Sequence, residues 1–360
     1  MKEEIKSVLN KIEQNGYESY IVGGFVRDYL LCRESTDVDI VTNALPKDIV
    51  RIFETLKEVG PYGTFNLKTN SFNYDITTYR VEALYKNRHP KEITYTSNLI
   101  EDLQRRDFTM NAICLTSTSQ IIDLFHGVED LENKTIRMIG NPNLRLKEDP
   151  LRILRAIRFA CTLDFHLEPS LKKAIIKEKE SILTLSNHCL KKELNKIWLS
   201  PNYQKGLDLL ASLGLLELLE IFPTHIQYVD DVNGMWAQIM TTKDFEFTKL
   251  EKKQIASIRA ILQEKEITPF TIYQYGLYPT LVAAKIKQIP TQEILQMEQE
   301  MPLKKASDLM ISFESIKHIT HTNKAETKEI YNQIIEQILN GQLKNQKEDI
   351  LIYLKEEGKK

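Results

Sequence analysis

The sequence predicts an α+β protein: a small mixed sheet with helices in the first third of the chain, then an all-helical remainder. Three observations predict it. An apolar run at Tyr20-Ile-Val22 ends in Gly23-Gly24 and passes into Phe-Val-Arg27-Asp28, which reads as a buried strand turning into a helix. A second short strand follows at Thr36-Asp-Val-Asp-Ile40. From about Pro150 the apolar residues recur at helical spacing, as in Leu151-Arg-Ile-Leu-Arg-Ala-Ile-Arg-Phe159.

The elements follow in order. Met1-Lys-Glu-Glu-Ile-Lys opens an amphipathic helix with no apolar leader. After the two strands, Pro46 starts a helix, and Gly63-Thr-Phe-Asn-Leu67 and Tyr74-Asp-Ile-Thr-Thr-Tyr79 have the alternation and β-rich composition of strands. Beyond Leu151, Leu190 to Ile197 and Leu207 to Leu216 read as further helices. Pro201, Pro223, Pro269, Pro279, Pro290 and Pro302 punctuate the helical part, and no internal repeat appears.

At 360 residues and 42% hydrophobic, the chain is long enough for several domains or subdomains. No apolar stretch reaches membrane-spanning length, so a cytoplasmic location is expected. Cys32, Cys114, Cys161 and Cys189 have no Cys-x-x-Cys pairing and read as reduced, mostly buried thiols. A net charge of −2 excludes a protein that coats nucleic acid by charge alone. Any RNA site must then be local, with Lys86, Arg88, His89 and Lys91, or Arg145, Lys147, Arg152, Arg155 and Arg158, as candidate patches against the plainer reading of solvated faces.

The first two motifs place a phosphate-binding turn beside paired carboxylates. Glycines without Cβ atoms let a triphosphate approach the backbone N–H groups of Gly23 and Gly24, with Arg27 as a charged clamp. Asp37 and Asp39 alternate onto one strand face roughly 6–7 Å apart. That spacing suits Mg²⁺ ions about 3.5–4 Å apart, which activate a hydroxyl and stabilise a leaving pyrophosphate. Either motif alone is weak, since Gly-Gly turns and Asp-x-Asp strands are common; their order points to nucleotidyl transfer.

With these motifs the chain resembles the class II tRNA nucleotidyltransferases, the CCA-adding enzymes, and their bacterial poly(A) polymerase relatives. The resemblance implies a polymerase-β-like nucleotidyltransferase head over residues 1–135, a helical neck over 136–200, a body over 201–295 and a tRNA-binding tail over 296–360. It continues through Arg105-Arg106-Asp107-Phe-Thr-Met-Asn111, similar to the family motif that grips the nucleotide, with Arg106 on the triphosphate and Asp107 on the ribose hydroxyls. Glu148-Asp149-Pro150-Leu-Arg152-Ile-Leu-Arg155-Ala-Ile-Arg158 resembles the base-selecting motif, in which Asp149 and Arg152 offer hydrogen bonds to cytosine or adenine. If both are helical, their spacing makes them neighbours on one face. Asp149 before Pro150 also fits a helix N-cap. Arg155 and Arg158 are expected on phosphate or on acidic neighbours.

Asp75 matches the position of the family's third carboxylate, which implies a role in orienting or deprotonating the primer 3′-hydroxyl; a lone acid on a half-exposed strand is the alternative. Arg80 to Pro90 matches a mobile loop that helps the site switch from CTP to ATP, with Asn87 where Asp is common and one residue fewer than in many relatives. The resemblance thus implies Mg²⁺-dependent, template-independent addition of CCA to the tRNA 3′ acceptor end from CTP and ATP. A CC-adding, A-adding or poly(A)-polymerising enzyme is the alternative within the same chemistry, and a non-catalytic tRNA-binding protein the alternative outside it.

Overall fold

The computed structural model describes residues 2–54, 56, 58, 59, 62–86 and 89–357. The chain forms two compact units, residues 1–220 and 221–360. The first opens with α1 (Glu3–Glu13), which buries Ile5, Val8, Leu9 and Ile12 at helical spacing. Next come β1 (Ser19–Val22), α2 (Gly24–Leu30), β2 (Asp37–Thr42), α3 (Pro46–Phe53), β3 (Thr64–Lys68) and β4 (Asn73–Thr78). Pro46 stands in the first turn of α3, where its missing N–H costs nothing.

The strands belong to a six-stranded mixed sheet in the order β3, β4, β2, β1, then Cys114–Leu115 and Ile121–Ile122. Within this sheet, among the described residues, only β2 and β4 run parallel, with Asp37 opposite Asn73 and Asp39 opposite Asp75. Strand β2 alternates as the sequence requires: Val38 and Ile40 are buried, Asp37 is exposed and Asp39 intermediate. Val22, Val41, Tyr79, Leu103, Ala112, Cys114 and Ile139 form one core cluster beneath the sheet.

The segment read as a mobile loop is instead built on a hairpin. β5 (Arg80–Lys86) pairs antiparallel with β6 (His89–Tyr95), Arg80 opposite Tyr95 and Glu82 opposite Ile93. The alternation of Val81, Ala83 and Tyr85 carries the strand signal that polar neighbours obscured. Asn87 and Arg88 lie outside the described residues.

The helices that complete this unit's site are α4 (Leu99–Gln104), α5 (Gly127–Glu132), α6 (Pro142–Glu148), α7 (Leu151–Leu163), α8 (Pro169–Glu178) and α9 (Asn187–Trp198). The predicted helix at Leu207 to Leu216 is broken: Tyr203–Ser212 ends before Gly214, whose φ of +68° starts a new short helix at Leu215. Edge-to-face stacking of Phe108 on Phe159, 5.7 Å between centroids, ties the segment after α4 to α7.

The second unit is helical except for a short antiparallel pair, Ile221–Pro223 with Ile239–Thr241. Trp236 is buried there against Phe245 and Phe247, with centroids 5.0 and 5.2 Å away. All four cysteines are free thiols; those of Cys114 and Cys161 are buried, which pushes each up to about 12. Among the described residues no helix is long and apolar enough to cross a membrane.

Candidate active site

A cleft of about 680 Å³ in the first unit collects twelve of the thirteen site residues read from the sequence: Gly23, Gly24, Arg27, Asp37, Asp39, Arg106, Asp107, Asn111, Asp149, Arg152, Arg155 and Arg158. Asp75 is the exception. It lies outside the cleft lining, in register with Asp39 on the neighbouring strand, and accepts a hydrogen bond from Asn66 Nδ2 at 3.0 Å. Two lining residues, Phe159 and Lys196, were not anticipated.

At the sheet end of the cleft, Gly23 has φ +81° and ψ −143°, a conformation open essentially to glycine alone. Its missing Cβ also makes room for a neighbour, since an added one would stand 2.7 Å from Asp39 Oδ2 and 3.7 Å from Arg106 Nη1. Asp37 accepts a 3.0 Å hydrogen bond from Asn73 Nδ2. Burial raises the Asp39 carboxyl above the ordinary carboxylate range; Arg106 and Arg27 pull it down, and Asp75 and Asp37 push it up. Two mutually repelling carboxylates on one strand face are a donor set of hard oxygens suited to a divalent cation such as Mg²⁺. The described residues contain no cluster of three or more metal-ligating side chains.

A continuous polar chain runs from there across the cleft floor. Arg27 binds Asp28 at 2.8 Å and donates from Nη1 to Asn111 Oδ1 at 2.8 Å. Asn111 Nδ2 donates to Asp107 Oδ1 at 2.9 Å, which also accepts the Phe108 N–H at 2.8 Å. Arg155 Nε reaches Asp107 Oδ2 at 2.8 Å, and its Nη2 contacts the same oxygen. Burial alone would raise the Asp107 carboxyl, but Arg155, the Asn111 amide and the Phe108 N–H together hold it well below the usual range. Asp107 is thus held as an ionised hydrogen-bond acceptor.

Phe159 explains how several arginines share this space. The guanidinium carbons of Arg158, Arg27 and Arg155 lie 4.2, 5.1 and 5.5 Å from its ring centroid. The ring face attracts cations that repel one another, and Glu193 takes Arg158 at 3.0 Å. No motif spacing marked Phe159 because its role depends on three arginines, one of them from another element. Lys196, one turn along α9 from Glu193 and 3.3 Å from it, could have been found only by placing α9 beside α7.

The pair expected to select the base, Asp149 and Arg152, departs from its expected geometry. Asp149 is not helical: it has extended backbone between α6 and α7, and its Oδ1 accepts the Leu151 N–H at 3.1 Å. The proline that follows restricts Asp149 to extended backbone and starts a new helix, whose first turn includes the Arg152 N–H bonded to the Asp149 carbonyl at 3.1 Å. Arg152 is buried, donating to the Arg145 carbonyl at 2.7 Å and to Glu148 Oε2 at 3.2 Å. Both residues nevertheless line the cleft. The candidate outer patch around them is mostly turned inward. Arg145 pairs with Glu148 and donates to the Arg106 carbonyl at 2.9 Å, while exposed Lys147 lies 3.7 Å from Glu178.

Every cation lining the cleft has a carboxylate partner: Arg27 with Asp28, Arg106 with Asp102, Arg152 with Glu148, Arg155 with Asp107, and Arg158 and Lys196 with Glu193.

Comparison with known proteins shows the family that the chain resembles along its length. Residues 19–137 match the family described as Poly A polymerase head domain, and residues 164–225 match the probable RNA and SrmB-binding site of polymerase A. The CCA-adding enzyme of Staphylococcus haemolyticus is 32% identical over 99% of this chain and 98% of its own length. That of Limosilactobacillus reuteri is 34% identical over 86% and 85%. The crystal structure of the Bacillus stearothermophilus CCA-adding enzyme in complex with CTP superimposes with a TM-score of 0.85 at 26% identity, covering 100% of this chain and 98% of that one. The Thermotoga maritima CCA-adding enzyme complexed with tRNA shares the fold at a TM-score of 0.67 and 21% identity, covering 99% and 96%.

Proposed function

The chain belongs to the CCA-adding enzyme family, and from that premise we propose that it adds C, C and A to the 3′ end of tRNA from CTP and ATP, without a nucleic-acid template, releasing pyrophosphate. The observation that carries this reading is the convergence of the carboxylate pair, the triphosphate clamp, the ribose acceptor and the base-selecting pair on one cleft. The family is a metal-dependent one, and Mg²⁺ is the ion that fits. Asp37 and Asp39 would hold it, where it supplies Lewis-acid activation of the primer hydroxyl and charge neutralisation on the leaving pyrophosphate.

The protein's own groups do the rest. The backbone at Gly23 and Gly24, with Arg27 and Arg106, positions the triphosphate for in-line attack. Asp107, held ionised by Arg155 and Asn111, accepts from the ribose hydroxyls and favours ribonucleotides. Asp149 offers an acceptor and Arg152 donors to the Watson–Crick edge of the incoming base. Asp75, in register with Asp39 one strand away, would help orient or deprotonate the primer 3′-hydroxyl once the primer reaches that edge of the sheet. In this reading residues 1–135 carry the chemistry, 136–200 select the base, and 201–295 and 296–360 hold the tRNA. A cytoplasmic location follows from the substrate class.

The test is to incubate tRNA lacking its terminal CCA with CTP alone, ATP alone and both, then sequence the 3′ ends. The expected products are CC with CTP and CCA with both, and tRNA ending in CC should become CCA with ATP alone. A clean stop at CC in ample ATP would make the protein a CC-adding enzyme, and no incorporation under any condition would leave only tRNA binding.

A further inference from the structure

Asp102, in the first turn of the short helix α4, is fully buried and sits where three parts of the first unit meet. Its Oδ1 accepts from Arg105 Nε at 2.9 Å and Nη2 at 2.8 Å, and from the Arg80 backbone N–H at 3.2 Å. Its Oδ2 accepts from Arg106 Nη2 at 3.4 Å. Arg105 Nη1 also reaches Glu82 Oε1 at 3.1 Å, and the same oxygen takes Arg80 Nε at 2.8 Å. Arg80 is anchored in turn on the Tyr62 carbonyl at 2.9 Å. One connected network therefore runs from the base of the β5–β6 hairpin to Arg106.

Arg106 is the end of that network that faces the cleft. Its Nη1 lies beside the Gly23 turn, and its Nε is buried without a hydrogen-bond partner. Leaving a buried guanidinium N–H unmade costs roughly 1–3 kcal/mol or more, and Arg106 as a whole lines the cleft beside the Gly23 turn, where a triphosphate oxygen would meet it. Among the described residues Asp102 is the carboxylate paired with Arg106, so it orients that guanidinium. Burial disfavours a charged Asp102, but Arg105 and Arg106 outweigh it and lower the carboxyl below its ordinary value.

We infer that Asp102 is a positioning residue: it fixes Arg106 for the nucleotide triphosphate and, through Arg105 and Glu82, makes the seat of the β5–β6 hairpin part of the same clamp. The inference rests on the proposed nucleotidyl transfer. Asp102 touches no substrate. Its influence should be confined to the phosphates that Arg106 grips.

The test measures binding of CTP and CMP with Mg²⁺ in the absence of tRNA, where no transfer occurs. Asp102→Asn should weaken CTP by about tenfold, the scale of a lost charged hydrogen bond, and leave CMP affinity unchanged. In an Arg106→Ala background the same substitution should have no further effect, because the group it positions is gone. Glu82→Gln should weaken CTP in the same direction by less, again only while Arg106 is present, and this variant serves if Asp102→Asn does not fold. Equal losses for CTP and CMP, additive losses in the Arg106→Ala background, or tighter CTP binding from removal of an opposing charge would each overturn the inference. A wild-type protein that binds no CTP would instead overturn the proposed function.

Discussion

Asp39 leans over Gly23 so closely that a Cβ on the glycine would meet its carboxylate oxygen at 2.7 Å. The turn and the carboxylate therefore form one unit. Gly23→Ala is expected to reduce CTP incorporation at least about a hundredfold, because Asp39 must move and the backbone must leave a glycine-only conformation at a cost of about 1–3 kcal/mol. Incorporation kinetics and urea denaturation of the same variant measure the two effects. Normal turnover with reduced stability would separate the turn from the chemistry.

Asp37→Ala and Asp39→Ala should each remove nearly all incorporation and leave tRNA affinity within about twofold, since neither carboxylate supplies attraction to a polyanion. Filter binding and labelled-CTP incorporation give the two readouts. Near-normal turnover of either variant at saturating Mg²⁺ would refute the metal assignment.

Asp149 both caps the Leu151 N–H and faces the cleft, so the choice of replacement separates its roles. Asp149→Asn keeps an oxygen for the cap and should retain stability, yet it presents an amide to the base and should raise UTP and GTP misincorporation relative to CTP. Asp149→Ala should do the same and lose about 1 kcal/mol of stability as well. Unchanged base preference in both variants would leave only the cap.

The Asp107–Arg155 pair predicts a pH dependence of stability. The Asp107 carboxyl is depressed in the folded protein relative to the unfolded chain, where about 3.9 is expected. Its contribution is therefore complete above about pH 5 and is lost as pH falls through the folded value. Asp107→Asn should cost about 3 kcal/mol at neutral pH by leaving Arg155 without its counter-charge. The gap between wild type and variant should stay constant from pH 8 to about 5 and close only in strong acid. Urea titrations across this range test it. A gap that widened as pH fell would reverse the sign.

Local chemistry made most of the head legible. The Gly-Gly turn, the alternation of Asp37 and Asp39 and the Pro46 helix start are dictated by neighbours within a few residues, and all of them appear where their patterns place them. The site's long-range features were not legible. Nothing in the sequence pairs Arg27 with Phe159, 132 positions away, or brings Lys196 of α9 to the cleft. For Asp149 the helical condition behind its pairing with Arg152 is not met, since its backbone is extended before Pro150, while the capping role that the same dipeptide suggested is present in its bond from the Leu151 N–H. The hairpin at Arg80 to Tyr95 was hidden for another reason: charged residues interleave its β-formers and make a paired strand look like a solvated loop.

The carboxylate partner of every cleft cation bears on life in a crowded cell. A pocket of unsatisfied arginines would collect polyanions of any kind indiscriminately. Here a stray polyanion must compete with anions already in place, so it gains little by entering. A ligand that offers phosphate, sugar and base together can take over several partnerships at once, and only such a ligand recovers what the displaced carboxylates gave up. The cleft is in this sense insulated against background, although the whole chain carries a net charge of only −2.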